Sequence, residues 1–255
     1  MSVFLVSLLV FVVTLGAALL GLYAHKRLPP EHMKDESARS VVGQVSGLVT
    51  ILLAIVLGTL IGTSFAFFGG QKTTLEALSA QILELDQALA QYGPETKPAR
   101  DRLREASQKA YDAFWGGGEP DPKILTVESP MTAYQATKAF LAGLNPTTEA
   151  QKQAVASANA LASQIEHGRI LMSLQIASPP VGTGAVIIIV IWAVILFFGI
   201  GLFAESSNLV IAGLTFGALC VAFAVFLMLE LNSPYTGLFR VNPAALEQAI
   251  ANIDK

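Results

Sequence analysis

The sequence predicts an all-α integral membrane protein with four transmembrane helices and a helical extramembrane bundle inserted between helices 2 and 3. Three observations carry this. Four apolar stretches run about Val3–Tyr23, Val41–Phe68, Val181–Phe203 and Leu209–Leu231, each long enough to cross a hydrocarbon layer that takes about 20 helical residues. Charged residues make up only 14% of the 255 residues, against about 25% in soluble domains, and the deficit sits in those stretches. No segment alternates apolar and polar residues with the period of a strand. The expected divisions are 1–70 (two spans and a short connector), 71–178 (helical domain), 179–232 (two spans) and 233–255 (a tail).

The first stretch has no Lys or Arg before Tyr23, and its basic pair Lys26-Arg27 follows it. A cleaved leader needs a basic start and a short apolar core, so the first helix is expected to be retained. Pro29-Pro30 force a turn. The second stretch exceeds a minimal crossing, so it tilts or projects beyond lipid. From Leu75 the apolar residues Leu75, Leu78, Ile82, Leu85, Leu89 and Tyr92 repeat at alternating spacings of three and four, an a/d seam. The helix after Gln71 is expected to continue the second stretch until Gly93-Pro94 stops it. The seam would pair either with the later Thr147–Ile176 helix as an antiparallel stalk or with other copies around an axis.

A second helix is expected over Pro98–Trp115, with Leu103, Ala106, Ala110 and Phe114 on one side. Gly116-Gly117-Gly118, Pro120 and Pro122 mark a loop. Ser129 as N-cap and Pro130 at the first helical position would open a short helix ending before Asn145-Pro146. The Thr147–Ile176 helix carries Val155, Ala158, Ala162, Ile165, Met172 and Ile176 on its apolar side. Ser178-Pro179-Pro180 end it. The link around Glu205–Asn208 is short enough to make the last two stretches an antiparallel hairpin.

The tail turns at Pro234 and Gly237. Tyr235 and Arg240 suit a headgroup layer, and a short helix over Pro243–Ile253 carries Leu246 and Ile250 on one side. The reading is an interfacial anchor, whose residues 245–255 would be dispensable for insertion.

Several function classes are disfavoured. The net charge is −3 without a basic run, so nucleic acid is not an expected partner. No Ser-His-Asp set, phosphate-cradling glycine loop or paired-carboxylate cleft is placed, so neither an enzyme nor a cofactor is expected. His25, His32, Glu31 and Asp35 cluster in the connector without helical ligand spacing, and no metal is expected. Cys220 reads as a small side chain packed in a helix. Glu230 and Glu205 read as water-facing helix-end residues rather than ion ligands, which disfavours a proton-coupled transporter.

Gly43, Gly47, Gly58 and Gly62 in the second stretch and Gly213 and Gly217 in the fourth stand four apart in pairs, the spacing that lets helices approach closely in lipid. The second stretch also aligns Gly47, Thr50, Ala54, Gly58, Ile61, Phe65 and Phe68 at helical spacing. In a ring of copies this face would line a pore, with Ile61, Phe65 and Phe68 as an apolar constriction gating by dewetting. An even number of crossings puts both termini and the helical domain on one side. The Ala24–Ser40 connector carries Lys26, Arg27, Lys34 and Arg39. Basic short loops favour the cytoplasm, which places the domain and termini on the periplasmic side of a bacterial inner membrane.

The Arg27-Leu28-Pro29-Pro30-Glu31 connector, the long helix from Val41 into the heptads, and Ser233-Pro234-Tyr235-Thr236-Gly237 with Arg240-Val241-Asn242-Pro243 together resemble the bacterial bestrophin-like domain family across essentially the whole chain. The resemblance implies a distant relation to bestrophins, which are pentameric anion channels with a helical domain outside the lipid, a pore lined by the second crossing and both termini in the cytosol. The last point opposes the charge count. The acidic calcium-binding cluster of regulated animal bestrophins has no counterpart. The expected function is an oligomeric membrane channel, a pentamer if bestrophin-like, conducting anions between lipid-embedded copies. The alternative is a non-conducting scaffold or envelope sensor whose helical domain binds a partner.

Overall fold

The computed structural model of the protein describes residues 2–27, 36–116 and 128–253, with side chains from 40 and from 134 in the second and third of these ranges. The elements are α1 (Val3–Arg27), α2 (Glu36–Tyr92), a 3-10 turn (Pro94–Thr96), α3 (Lys97–Trp115), α4 (Glu128–Ala142), α5 (Glu149–Ala177), α6 (Thr183–Phe203), α7 (Asn208–Leu231) and α8 (Ala244–Asn252). No strand occurs among the described residues. Among the described residues four helices, α1, α2, α6 and α7, are long and apolar enough to cross a membrane. The chain divides into two compact units, Met1–Phe67 with Pro180–Asn232, and Phe68–Pro179 with Ser233–Lys255. The last 23 residues thus fall with the helical domain rather than standing apart.

In the first unit α1 and α6 meet backbone to backbone. A Cβ added at Gly21 would lie 2.3 Å from the Phe198 carbonyl oxygen, and one at Gly201 would lie 2.2 Å from that of Ala18. Ala18 and Ala193 are fully buried nearby. Small residues bring the helices this close because water-driven burial is weak between apolar helices and close dispersion contact must replace it. The glycines marked by spacing behave differently. A Cβ added at Gly217 would lie 3.0 Å from the Phe197 ring, whereas one at Gly43, Gly47, Gly58, Gly62 or Gly213 would meet nothing within 4 Å. Leu53 of α2 joins Ile189, Ala193 and Leu196 of α6, and Val10, Val186, Val225 and Met228 form a second apolar cluster across α1, α6 and α7. Ser207 caps α7 by accepting from the Val210 amide at 3.2 Å. His25 Nδ1 lies 2.9 Å from the Leu202 carbonyl, where the last carbonyls of α6 lack helical partners.

Two expectations are corrected here. Glu230, expected to face water, is 4% exposed and engaged in a polar interaction. Cys220, expected inside a packed helix, faces outward from α7. Of the connector cluster only His25 is described; His32, Glu31 and Asp35 lie outside the described residues.

In the second unit the later part of α2 pairs antiparallel with α5. Gln71 Nε2 donates to Gln175 Oε1 at 2.7 Å, Leu78 covers Gly168, Gln81 Nε2 donates to Gln164 Oε1 at 3.4 Å, and Gln151 Nε2 donates to the Tyr92 carbonyl at 3.2 Å. As the position on α2 rises, its partner on α5 falls by nearly the same step. The seam residues Leu75, Leu78, Leu85, Leu89 and Tyr92 are all buried within the chain, so the stalk arrangement, not a seam between copies, accounts for them. Gly93, at φ 138, ends α2, and Thr96 Oγ1 then donates to the Leu89 carbonyl at 2.5 Å. A left-handed φ of this kind costs glycine nothing.

Asp86 of α2 accepts two hydrogen bonds from Arg100 of α3, at 2.7 and 2.9 Å. Thr148 and Gln151 form a capping box at the start of α5, the reciprocal arrangement of a T-x-x-Q sequence. α4 begins at Glu128, ahead of the expected cap Ser129, so Pro130 sits inside the first turn. That turn makes no amide bonds within the helix, so the missing N–H costs nothing there. On α3, Ser107 and Phe114 are buried while Ala106 is exposed; on α5, Ala154 and Glu166 join Ala158, Ala162 and Met172.

Candidate pore-lining face

The first part of α2 presents one line to its own chain: Leu53 and Ser64 are buried, with Val49, Val56, Leu57 and Leu60 flanking them. With 3.6 residues per turn, Gly47, Thr50, Ala54, Gly58, Ile61 and Phe65 centre about 100° round the helix from that line. Gly47, Thr50, Ala54 and Gly58 are exposed, and so is Phe65, at 52%. Ile61 is half-buried against the cluster of Val10, Val225 and Met228. Phe68 belongs to the second unit and packs partly against the cluster containing Leu75, Phe114 and Tyr235. The predicted face is therefore a lateral flank, exposed at five positions and partly buried within the chain at two.

Its chemistry is quiet. No charged residue occurs on α2 from Ser40 to Gln71. Thr50 Oγ1 donates to the Ser46 carbonyl at 2.7 Å, and Thr59, Thr63 and Ser64 donate to carbonyls three or four residues back. These hydroxyls have spent their single donor within the helix, leaving acceptor lone pairs outward. Only 6% of the apolar window of α2 is buried inside the chain, against 28%, 33% and 28% for α1, α6 and α7. Among the described residues, the other positions of its first half are exposed or only partly covered by the chain.

Of the tail residues expected at an interface, two are buried within the chain and two are exposed. Tyr235 is 4% exposed, with its ring 4.9 Å from Phe114 and 5.8 Å from Trp115. Its hydroxyl donates to Gln71 Oε1 at 3.3 Å, extending the Gln71–Gln175 bond into a buried polar chain. Burial pushes the Tyr235 phenol well above its usual range. Pro234 is also buried, and its carbonyl accepts from the Val241 amide at 2.9 Å, closing the turn. Gly237 takes φ 83 at the tip of that turn, and exposed Arg240 donates back to its carbonyl at 3.2 Å. Trp115 Nε1 donates to the Val241 carbonyl at 3.0 Å, and Tyr111 donates to Glu247 at 2.7 Å. That bond to a carboxylate holds the Tyr111 phenol above its usual range. With Leu246, Ala249, Ile250 and Ile253 buried, the tail completes the core of the second unit.

Sequence reasoning missed Gln71, Gln175 and the Asp86–Arg100 pair. Gln71 had a signal: it lies four residues before Leu75, on the seam extended backward. Arg100 and Gln175 had none, since their partners are set by packing. Among the described residues no group of three His, Cys, Asp or Glu side chains is placed to hold a metal.

Compared with known proteins, residues 12–246 match the family model described as Bestrophin-like domain. No curated protein and no solved structure matches.

Proposed function

Because this chain belongs to the Bestrophin-like domain family, we propose that it is a homo-oligomeric membrane channel, with α2 lining the pore and the helical domain forming a vestibule outside the lipid. The observation that carries this is the 6% self-burial of α2. An isolated span can rest in lipid, but one packed on its own chain along a single line, with glycines on its outward faces, is suited to close contact with other copies. Anion preference follows from the family relation alone, since the flank offers no free hydroxyl donor; discrimination would fall to apolar gating at Phe65. Catalysis and a resident cofactor are no part of this reading. The inner membrane is its setting, with the helical domain periplasmic by the basic residues of the connector.

Chloride flux from liposomes carrying the purified protein tests the reading. Flux above empty vesicles that rises severalfold in Phe65→Ala supports it; flux no higher than in empty vesicles refutes conduction. Refutation would favour the reading as a non-conducting scaffold or envelope sensor whose helical domain binds a partner protein. A reporter active only in the cytoplasm, fused after Lys255, tests sidedness: silence is expected.

A further inference from the structure

The helical unit contains a cavity of about 230 Å³ between α2, α3, α4 and α5. Its walls are apolar, with Leu85, Leu89, Leu103 and Phe140 among them. A second cavity of about 100 Å³ shares Leu103, Ala106, Ile165 and Arg169 with the first and continues between α2, α3 and α5. Two charged groups in this apolar setting, one turn apart on α5, attract each other electrostatically but share no hydrogen bond. Arg169 lines both cavities, is largely withdrawn from water, and makes no hydrogen bond or ion pair among the described residues. Glu166, 8% exposed, has a fully buried Oε1 without a hydrogen-bond partner. Arg102 adds a second guanidinium at the exposed rim.

Buried polar atoms are almost always satisfied, because each unsatisfied one forfeits its hydration. Here a guanidinium, an orphan carboxylate oxygen and a continuous apolar wall converge on one space. From this convergence we infer that the cleft binds a small organic acid with an apolar body: its carboxylate pairs with Arg169, a hydroxyl or amino donor beside that carboxylate satisfies Glu166 Oε1, and its ring or branched chain fills the apolar recess. A guanidinium fits a carboxylate bidentately, and two arginines against one glutamate leave the site a net positive charge for the anion. Desolvation raises the Glu166 carboxyl and lowers the Arg169 guanidinium from their ordinary values, so a ligand that pairs both would relieve a standing penalty. The site stands independently of whether α2 conducts.

The test is calorimetric titration of the full chain in nanodiscs with 3-phenyllactate, empty nanodiscs subtracted. Its methyl ester, which keeps body and donor but loses the charge, is the control. Saturable binding is expected, at least tenfold weaker for the ester. Arg169→Gln should weaken acid binding at least tenfold and bring acid and ester together. Ala106→Leu, which fills the shared wall from an exposed position, should also weaken binding, with helix content unchanged by circular dichroism. Heat no different from empty nanodiscs, or acid and ester binding alike to the unaltered protein, overturns the proposal; that comparison needs no variant to fold.

Discussion

At the scale of single residues, the same amino acid has opposite meanings on different helices. Gly201 has a carbonyl oxygen where a methyl would go, and Gly58 has nothing within 4 Å. Gly201→Ala must separate α1 from α6, and overpacking of this kind costs about 1–3 kcal/mol; a clear fall in the thermal midpoint is expected. Gly58→Ala should leave the protomer's midpoint unchanged or raise it, since alanine favours the helix by about 1 kcal/mol. The Asp86–Arg100 pair sets a second contrast. Arg100→Met removes two hydrogen bonds from a carboxylate whose side chain is 4% exposed, and breaking such a pair costs about 3–5 kcal/mol. Denaturant unfolding should show most of that loss recovered in the double replacement Asp86→Leu, Arg100→Met. Glu166 gives a pH dependence. Its folded pKa lies above 4.5 through desolvation, so the fold favours the neutral acid. The stability gained from that preference is complete below 4.5 and lost as pH rises through the folded value. Glu166→Gln should therefore be more stable than the parent at pH 7, with the advantage fading as pH falls toward 4.5; thermal midpoints across that range check it.

At the scale of elements, the tail changes meaning most. Its aromatic and basic residues suit a membrane surface equally well in composition, and only the docking onto α3 reveals Tyr235 as core. Truncation after Ala244 removes Leu246, Ala249, Ile250 and Ile253, each worth about 1.5–3 kcal/mol when fully buried as a large aliphatic and less for alanine. The truncated chain should lose its protease resistance within residues 68–179 much sooner than the parent. The helices themselves were legible because apolar runs, prolines and Gly93 punctuate them in the sequence. Their partners were less so. The α2 seam announced a mate without naming it, and the α1–α6 contact through Gly21 and Gly201 left no local mark, since each glycine is explained only by the other helix. The capping box at Thr148 and Gln151 was fully written in the sequence and simply short enough to overlook.

At the scale of the molecule, the two units are built by different rules. The first is cemented by glycine and alanine approaches and self-bonded hydroxyls, as suits a medium that offers backbone groups no water. The second has the capped helices, aromatic cluster and buried ion pair of a water-soluble bundle. The flank of α2 was legible as a helical stripe, but its position 100° from the chain-facing line was not, because that line is set by α6 and α7 rather than by α2. Ile61 and Phe68 were assigned to the same stripe by spacing, but Ile61 packs beside Val10, Val225 and Met228 and Phe68 against the cluster of the second unit.

The bareness of α2 also bears on how such a protein changes over generations. A span that contributes little to its own subunit's folding can accept substitutions along its outer faces without the subunit failing to mature. In the proposed assembly, selection on those positions would act on what passes between copies, free of the penalty that core residues impose on every trial.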